Sequence, residues 1–196
     1  MEKDVDVRLE DRFHIEQAIR YWARAVDRRD WDMVRSVFHS GATDDHGMYN
    51  GEIEGLIEWL KARHECITMS MHVLGNILIE FINAEVAICE TYIVAYQRYD
   101  VAAGDDHKHI FAALGKDVDI SNLPIDVMMP ARYVDEFAIR NGAWRITKRT
   151  TVFEGRYFLN SDSTPLDPSW TTGKRDGTDA SYSAYERAGL GTAVQA

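Results

Sequence analysis

A carboxylate and an imidazole, Asp27 and His72, are the two residues in this chain best suited to move a proton together. Asp27 closes a segment with helical spacing, and His72 lies within residues 67–81, a run typical of a strand. A carboxylate that orients an imidazole supports acid–base chemistry without a metal ion or an organic cofactor. The sequence contains no phosphate, dinucleotide or metal motif. We therefore predict a small acid–base enzyme that uses no cofactor and acts on a small molecule.

The strands around His72 supply candidates for a substrate pocket. Because side chains alternate along a strand, Asn76 shares a face with His72, and Tyr92 and Tyr96 share a face of the next strand. If both faces point inward, an amide and two phenols can bind substrate oxygens. Ordinary cross-strand packing is the alternative for the tyrosines. Trp22 suits a flat apolar substrate, although core packing explains it equally well.

Two acidic clusters offer a metal-binding alternative. One is DDH at residues 44–46, and the other is DDHKH at residues 105–109. Neither has the helix or strand spacing of a defined metal site, so solvated loop charge is the favoured interpretation. No metal site is predicted.

The overall charge excludes several classes of partner. The chain has 196 residues, a net charge of −10 and a pI near 5.1, without a basic run. Nucleic acids and anionic membranes are bound through clustered Lys and Arg, so neither is expected as a partner. The charged start and the lack of a long apolar stretch predict a soluble, cytoplasmic protein. Cys66 and Cys89 are expected to be buried free thiols.

The order of the elements predicts an α+β fold. Apolar residues at helical spacing predict a first helix up to Asp27, a short second helix capped by Asp30, and a third helix ending near Glu65. Residues 67–81 and 85–99 then form one hairpin. A second hairpin, 131–140 with 143–154, is joined by Asn141-Gly142, which favours a type I′ turn. Helices should pack on one face of a bent antiparallel sheet.

The expected organisation is one domain with two additions. Residues 1–155 form the domain, with an insertion at about 100–130 that is too long for an ordinary loop. Residues 156–196 lack sustained periodicity and are expected to be an arm that packs on the barrel or on a neighbouring subunit.

The order VDRRDWD, FHSGATDDHG, MHVLGN and RYVDEFAIRNGAWRITKRT resembles the SnoaL-like branch of the nuclear transport factor 2-like superfamily, over roughly residues 10–155. The resemblance implies a cone-shaped α+β barrel, with a bent sheet and helices enclosing a pocket. Dehydratase and dehydrochlorinase members of this superfamily are similar in using an Asp–His pair for elimination. Carried over to this sequence, the resemblance implies Asp27 and His72 as catalytic residues, and Arg149 as a third that offsets developing negative charge.

The dehydratase members also have two pocket tyrosines and a second histidine. The resemblance implies Tyr49, Tyr92 and Tyr96 as the tyrosine candidates and His46 as the second histidine. The favoured function is therefore a cofactor-independent lyase acting on a hydroxylated aromatic or polycyclic molecule. Isomerisation, cyclisation or cleavage with loss of formaldehyde could use the same residues. A non-catalytic role as the small subunit of an aromatic-ring dioxygenase is the alternative of another class.

The outer face of the sheet predicts self-association. Barrels of this type commonly associate through that face, and a large exposed apolar face is unusual on a monomer. We expect a homo-oligomer, a trimer before a dimer. The apolar candidates for this face are Val73, Ile77, Ile79, Ile88, Val134 and Ile146.

Overall fold

The computed structural model describes residues 8–100, 110–111, 114–115, 118–119, 121, 123–159 and 166–190. The helices are α1 (Leu9–Arg28), α2 (Trp31–Ser36), α3 (Ile53–His64) and α4 (Ala180–Arg187). The strands are β1 (Phe38–Asp45), β2 (Asn50–Glu52), β3 (Ile67–Phe81), β4 (Val86–Tyr99), β5 (Ile125–Arg140), β6 (Ala143–Phe153) and β7 (Tyr157–Leu159).

One curved, open sheet carries the fold, so the expected α+β class is confirmed. Its strand order is β2-β1-β6-β5-β4-β3, and β7 pairs with the beginning of β5. All neighbouring strands are antiparallel except β1 and β6, which are parallel. Helix α1 packs against β3 and β6 beside α2, and the core lies between these helices and the inner face of the sheet.

The helix predictions are confirmed, because the helical spacing of apolar residues and the cap of α2 are local signals. The buried stripe of α1 includes Ile15, Ile19, Trp22 and Val26, which recur at helical spacing and face the core. Asp30 caps α2, since its side chain accepts a hydrogen bond from the backbone N–H of Met33 at 3.1 Å. Asp27 lies in the last turn of α1 and points toward β3.

The hairpins are also confirmed, with one difference in length. Asn141 and Gly142 have φ values of 53° and 76°, the left-handed pair that a type I′ turn requires. Strand β5 begins at Ile125, six residues before the predicted start at 131. Pro130 obscures this in the sequence, because proline is unusual inside a central strand. In the fold it lies where β5 changes partner from β7 to β6.

The C-terminal arm packs on the helical side of the domain. Arg175 donates hydrogen bonds to backbone carbonyls at the end of α1, and Arg28 lies 3.4 Å from the carboxylate of Asp179. Asp179 also caps α4 through the backbone N–H of Ser181. Part of the predicted insertion lies outside the described residues. No helix in the described part of the chain is long and apolar enough to cross a membrane.

Two side chains assigned to the outer face are instead in the core. Ile79 and Ile146 are 4% and 0% exposed, whereas Val73 is 50% exposed. The other candidates, Ile77, Ile88 and Val134, are partly buried. Both cysteines are buried and free, as expected.

Candidate active site

Asp27 and His72 are in direct contact. The Nδ1 atom of His72 lies 2.7 Å from one carboxylate oxygen of Asp27. The same oxygen accepts a hydrogen bond from the Ser70 hydroxyl at 2.7 Å, and the second oxygen accepts the backbone N–H of His72 at 2.8 Å. Three donors therefore hold the Asp27 carboxylate in one orientation.

The position of β3 in the sheet explains how a buried carboxylate is satisfied here. Strand β3 is the last in the order, so one of its edges is not paired with another strand among the described residues. Asp27 from α1 accepts a backbone N–H of this edge, and the alternation of β3 brings Ser70 and His72 to the same carboxylate. Burial acts to raise the pKa of Asp27, but attraction and hydrogen bonds from His72 outweigh it and leave the pKa below its usual value.

The contact determines which nitrogen of His72 can react. A carboxylate only accepts hydrogen bonds, so Nδ1 of His72 carries the ring proton and donates a hydrogen bond to Asp27. In the neutral ring, Nε2 is then the nitrogen with the free lone pair. The His72 ring lines a cavity, whereas Asp27 lies behind the ring. This arrangement presents a base to the cavity and keeps the orienting carboxylate out of it.

The cavity has a volume of about 430 Å³. It is bounded by α1 and α3 on the helical side and by the inner face of β3 to β6 on the sheet side. Its polar lining residues are His46, Arg63, His64, His72, Gln97, Tyr133, Thr151, Glu154 and Arg156. Its larger apolar residues are Trp22, Met48, Trp59, Leu60, Ile93, Met129 and Phe153. A few polar groups among aromatic and aliphatic walls are typical of a small-molecule site.

Tyr92 and Tyr96 lie outside the cavity, so their predicted role as lining residues is wrong. Ala95 is the direct cross-strand partner of His72, and directly opposed residues share a face. The inward residues of β4 are therefore the odd-numbered ones, including Gln97. Tyr92 is 50% exposed, and the Tyr96 hydroxyl bonds the Asp126 carboxylate at 3.1 Å. The alternation was correct, but the other face of β4 points inward.

Asn76 also lies outside the cavity, because β3 contains a bulge. Leu74 pairs with Ile93, yet the next pair is Ile77 with Thr91. The additional residue on β3 breaks the two-residue alternation that would have linked Asn76 to His72. Asn76 is consequently exposed.

The remaining substrate-binding candidates divide into two groups. Trp22 and His46 line the cavity as expected, and His46 Nδ1 lies 3.2 Å from Asp44 and 3.3 Å from the Thr151 hydroxyl. Tyr49 packs beside Trp59 but is not part of the cavity wall. Its hydroxyl donates to the backbone carbonyl of Glu52, so this phenol is engaged at the junction of β2 and α3.

Arg149 does not reach the cavity, contrary to the role carried over from the superfamily. It is 0% exposed and forms two hydrogen bonds with Asp135, at 2.6 and 2.7 Å. Its guanidinium lies 4.0 Å from the ring centre of Tyr133 and 4.5 Å from that of Trp22, and both rings do line the cavity. Burial acts to lower its pKa, but the attraction of Asp135 offsets this and leaves the pKa above its usual value.

Sequence reasoning missed several polar residues of the cavity, among them Tyr133, Gln97 and His64. Tyr133 alternates in phase with the buried Ala131 and Phe137, and this phase was the available signal. Gln97 likewise alternates with apolar residues of β4. His64 follows Leu60 by four residues on the buried stripe of α3, and this spacing was the available signal, although its neighbours are basic.

Of the two acidic clusters considered as a metal-binding alternative, the structure describes only the one at residues 44–46. Residues 105–109 lie outside the described part of the chain. Asp44 and His46 lie beside each other, with one Asp44 oxygen lacking a hydrogen-bond partner within the described residues. Nowhere in those residues do three or more His, Cys, Asp or Glu side chains form a group able to hold a metal ion.

Comparison with known proteins establishes the family. The SnoaL-like domain model matches residues 7–150, so the chain belongs to the SnoaL-like family, as the sequence resemblance indicated. No curated protein sequence matches the chain at a significant level.

Several solved structures share the fold. A hexachlorocyclohexane dehydrochlorinase of type 2 is similar with a TM-score of 0.65 and 16% identity, over 86% of this chain and 100% of that one. A proposed scytalone dehydratase from Novosphingobium aromaticivorans has a TM-score of 0.61 and 14% identity, over 85% and 98% of the two chains. A proposed aromatic ring hydroxylase from the same species has a TM-score of 0.60 and 22% identity, over 77% and 94%. At these identities, the likeness concerns the fold.

Proposed function

We propose that the protein is a cofactor-independent lyase that catalyses a dehydratase-type elimination on a hydroxylated aromatic or polycyclic small molecule. The observation that carries this proposal is the position of His72, between the Asp27 carboxylate and the cavity. Family membership and the dehydratase and dehydrochlorinase among the similar structures support the same reaction class.

The reaction needs one proton transfer from carbon and one to oxygen. Nε2 of His72 takes the proton from the carbon next to the one that bears the hydroxyl group. The electrons of that C–H bond form the double bond and the C–O bond breaks. The departing oxygen then takes the proton held on Nε2 of the imidazolium and leaves as water. Asp27 stabilises the imidazolium that forms on His72, and loss of the proton from Nε2 restores the starting state.

Two missed residues supply donors for substrate oxygens. Burial raises the pKa of Tyr133 to about 12, although Arg149 opposes this, so the phenol stays protonated and can donate. Gln97 accepts a hydrogen bond from the Tyr99 hydroxyl at 2.8 Å through its carbonyl oxygen. Its amide N–H groups are thereby directed away from that contact and are available to a substrate. Fixed donors of this kind stabilise charge that develops on oxygen.

The walls of the cavity support an aromatic substrate. Trp22, Trp59 and Phe153 provide flat apolar surfaces beside the polar groups. Isomerisation, cyclisation or cleavage with loss of formaldehyde would begin with the same proton transfer to His72, and the choice depends on the leaving group of the substrate. A structural dioxygenase subunit would not need a histidine oriented by a carboxylate toward a cavity.

Turnover of a library of hydroxylated aromatic compounds tests the proposal. Mass spectrometry should detect loss of water from at least one compound with wild-type protein, with or without prior chelation, and no loss with His72→Ala. Absence of turnover together with stable co-purification with a larger iron–sulfur protein would favour the structural alternative. Activity that survives in His72→Ala would refute the mechanism.

The homo-oligomer stays a prediction. Met71, Val73 and Tyr92 are each about half exposed on the outer side of β3 and β4, which supports association through this face. Analytical ultracentrifugation should give a species of several times 22.4 kDa, with a trimer preferred to a dimer.

A further inference from the structure

Arg175, a residue of the C-terminal arm, reaches the wall of the cavity. Its Nε atom donates to the backbone carbonyl of Asp27 at 3.0 Å, and its other nitrogens donate to the carbonyls of Val26 and Ile67. The same guanidinium lies 2.6 Å from Nδ1 of His64. The arm is therefore connected both to the helix end that carries Asp27 and to a histidine that lines the cavity.

The contact with Arg175 determines the tautomer of His64. A guanidinium has only donors, so Nδ1 of His64 must accept through its lone pair. A neutral imidazole carries one proton, which is then on Nε2. His64 is 1% exposed, and it lines the same cavity as His72. The ring consequently offers an N–H group where His72 offers a lone pair.

Burial and the surrounding cationic groups keep His64 neutral. Arg175 faces it from the arm, Arg63 from α3, Arg29 from the junction of α1 and α2, and His72 from β3. Each is a cation or becomes one on protonation. Burial, followed by these groups, holds the pKa of His64 well below its usual value. A ring in this state can donate a hydrogen bond but does not act as a proton reservoir.

We propose that His64 binds a substrate oxygen through Nε2–H, and that Arg175 is the positioning residue that holds His64 in this form. The inference rests on the proposed function and adds to it a requirement on the substrate. The substrate carries an oxygen acceptor, a carbonyl or phenolic oxygen, that gains negative charge when His72 removes the neighbouring proton. A neutral donor stabilises this charge without transferring its own proton to it.

Nitrogen-15 NMR of histidine-labelled protein tests the tautomer directly. Wild-type His64 should show the Nε2–H pattern, unchanged from about pH 8 to about pH 5.5. In Arg175→Gln this pattern should be lost, and His64 should titrate closer to the ordinary value of about 6.5. Lys174→Gln is the matched control, since Lys174 is the exposed neighbour of Arg175 and should leave the signal unchanged. The signal is assigned by its absence in His64→Phe.

Kinetics with the same variants tests substrate binding. His64→Phe and Arg175→Gln should lower kcat about tenfold to a hundredfold, with a smaller change in KM, because the donor acts mainly as charge develops. His64→Gln, which keeps an N–H donor, and Arg175→Lys, which keeps the charge, should each recover part of the loss.

The outcomes separate this inference from the proposed function. An Nδ1–H pattern, or titration of His64 in the wild type near its ordinary pKa, overturns the inference whether or not a substrate is turned over. Unchanged kcat in His64→Phe, with turnover abolished in His72→Ala, overturns it while the elimination mechanism stands. The expected tautomer in a protein that converts no hydroxylated aromatic compound would overturn the proposed function and retain the role of Arg175.

Discussion

Two buried pairs of a carboxylate and a basic group lie near the same cavity, and only one of them opens into it. Asp27 contacts His72 at 2.7 Å, and Asp135 contacts Arg149 at 2.6 and 2.7 Å. The His72 ring lines the cavity. Arg149 is separated from the cavity by the rings of Trp22 and Tyr133.

The difference shows that burial and pairing alone do not identify a catalytic residue. Arg149 is always charged, and its bidentate contact with Asp135 leaves the pair almost neutral to its surroundings. It connects β5 to β6, where the two residues are cross-strand partners. His72 has one nitrogen committed to Asp27 and one free, so it can change its protonation state at the cavity.

The largest expected effect is on turnover through the open pair. His72→Ala should remove nearly all activity, and Asp27→Asn should lower kcat by about 10²–10⁴-fold, because an amide can favour the wrong tautomer and cannot stabilise an imidazolium. Steady-state kinetics measures both, with circular dichroism to check folding. His14→Ala, on the exposed side of α1, is the control and should keep full activity. Equal kcat values for Asp27→Asn and the wild type would contradict the assignment.

The pair of Asp135 and Arg149 should affect stability instead of turnover. Arg149→Met leaves the Asp135 carboxylate buried without its partner and should lower the free energy of unfolding by about 3–5 kcal/mol. The kcat of the fraction that remains folded should stay within a few-fold of the wild type. Urea denaturation and active-site-normalised kinetics measure the two quantities.

Lys148→Met provides the matched control for Arg149→Met, since Lys148 is the exposed neighbour and lies 3.5 Å from Glu136. It should change stability by less than about 1 kcal/mol. A large fall in kcat for folded Arg149→Met, with stability unchanged, would mean that the guanidinium acts on the substrate after all.

His64 and Asp27 should make the free energy of unfolding depend on pH, whereas Arg149 should not. His64 has a pKa below its usual value in the folded state, so the unfolded chain binds a proton first as the pH falls. Stability should therefore be full above about pH 6.5 and decline below it, by at most about 1.4 kcal/mol per pH unit for this group. Asp27, whose pKa is also lowered, adds a further loss below about pH 4.

Urea denaturation at a series of pH values measures this decline, and His64→Phe should reduce the slope between about pH 6.5 and 5. The part that remains comes from His39, because burial also lowers the pKa of His39. Arg149 stays protonated over this range and contributes no slope there. A decline of unchanged slope in His64→Phe would assign it to another group.

The smallest expected effects compare an inward with an outward tyrosine. Tyr133→Phe removes a phenol from the cavity wall and should lower kcat/KM about tenfold, the value of one hydrogen bond to developing charge. Tyr92→Phe removes a phenol from the outer face and should leave kcat/KM unchanged. The reverse order of effects would restore the original assignment of the pocket tyrosines.

The sequence by itself determined the first three helices, the two hairpins and the dyad. Helical spacing in α1, the Asp30 cap and the Asn141-Gly142 turn act over a few residues, so each could be recognised without knowledge of the rest of the fold. Asp27 and His72 followed from the ends and contents of two such elements. Their order along the chain matched the family that the domain model also identifies.

Only the tertiary structure decided which face of each strand is inside. Alternation states which residues share a face, but the side that points inward depends on pairing with other strands. Ala95 opposite His72 directed Gln97 inward and Tyr96 outward, and a bulge removed Asn76 from the series. Arg149 points to the interior, yet Trp22 from α1 lies between it and the cavity. Arg175 reaches His64 from 111 positions away along the chain. These contacts join residues that are distant in sequence, and local patterns contain no information about which distant groups meet.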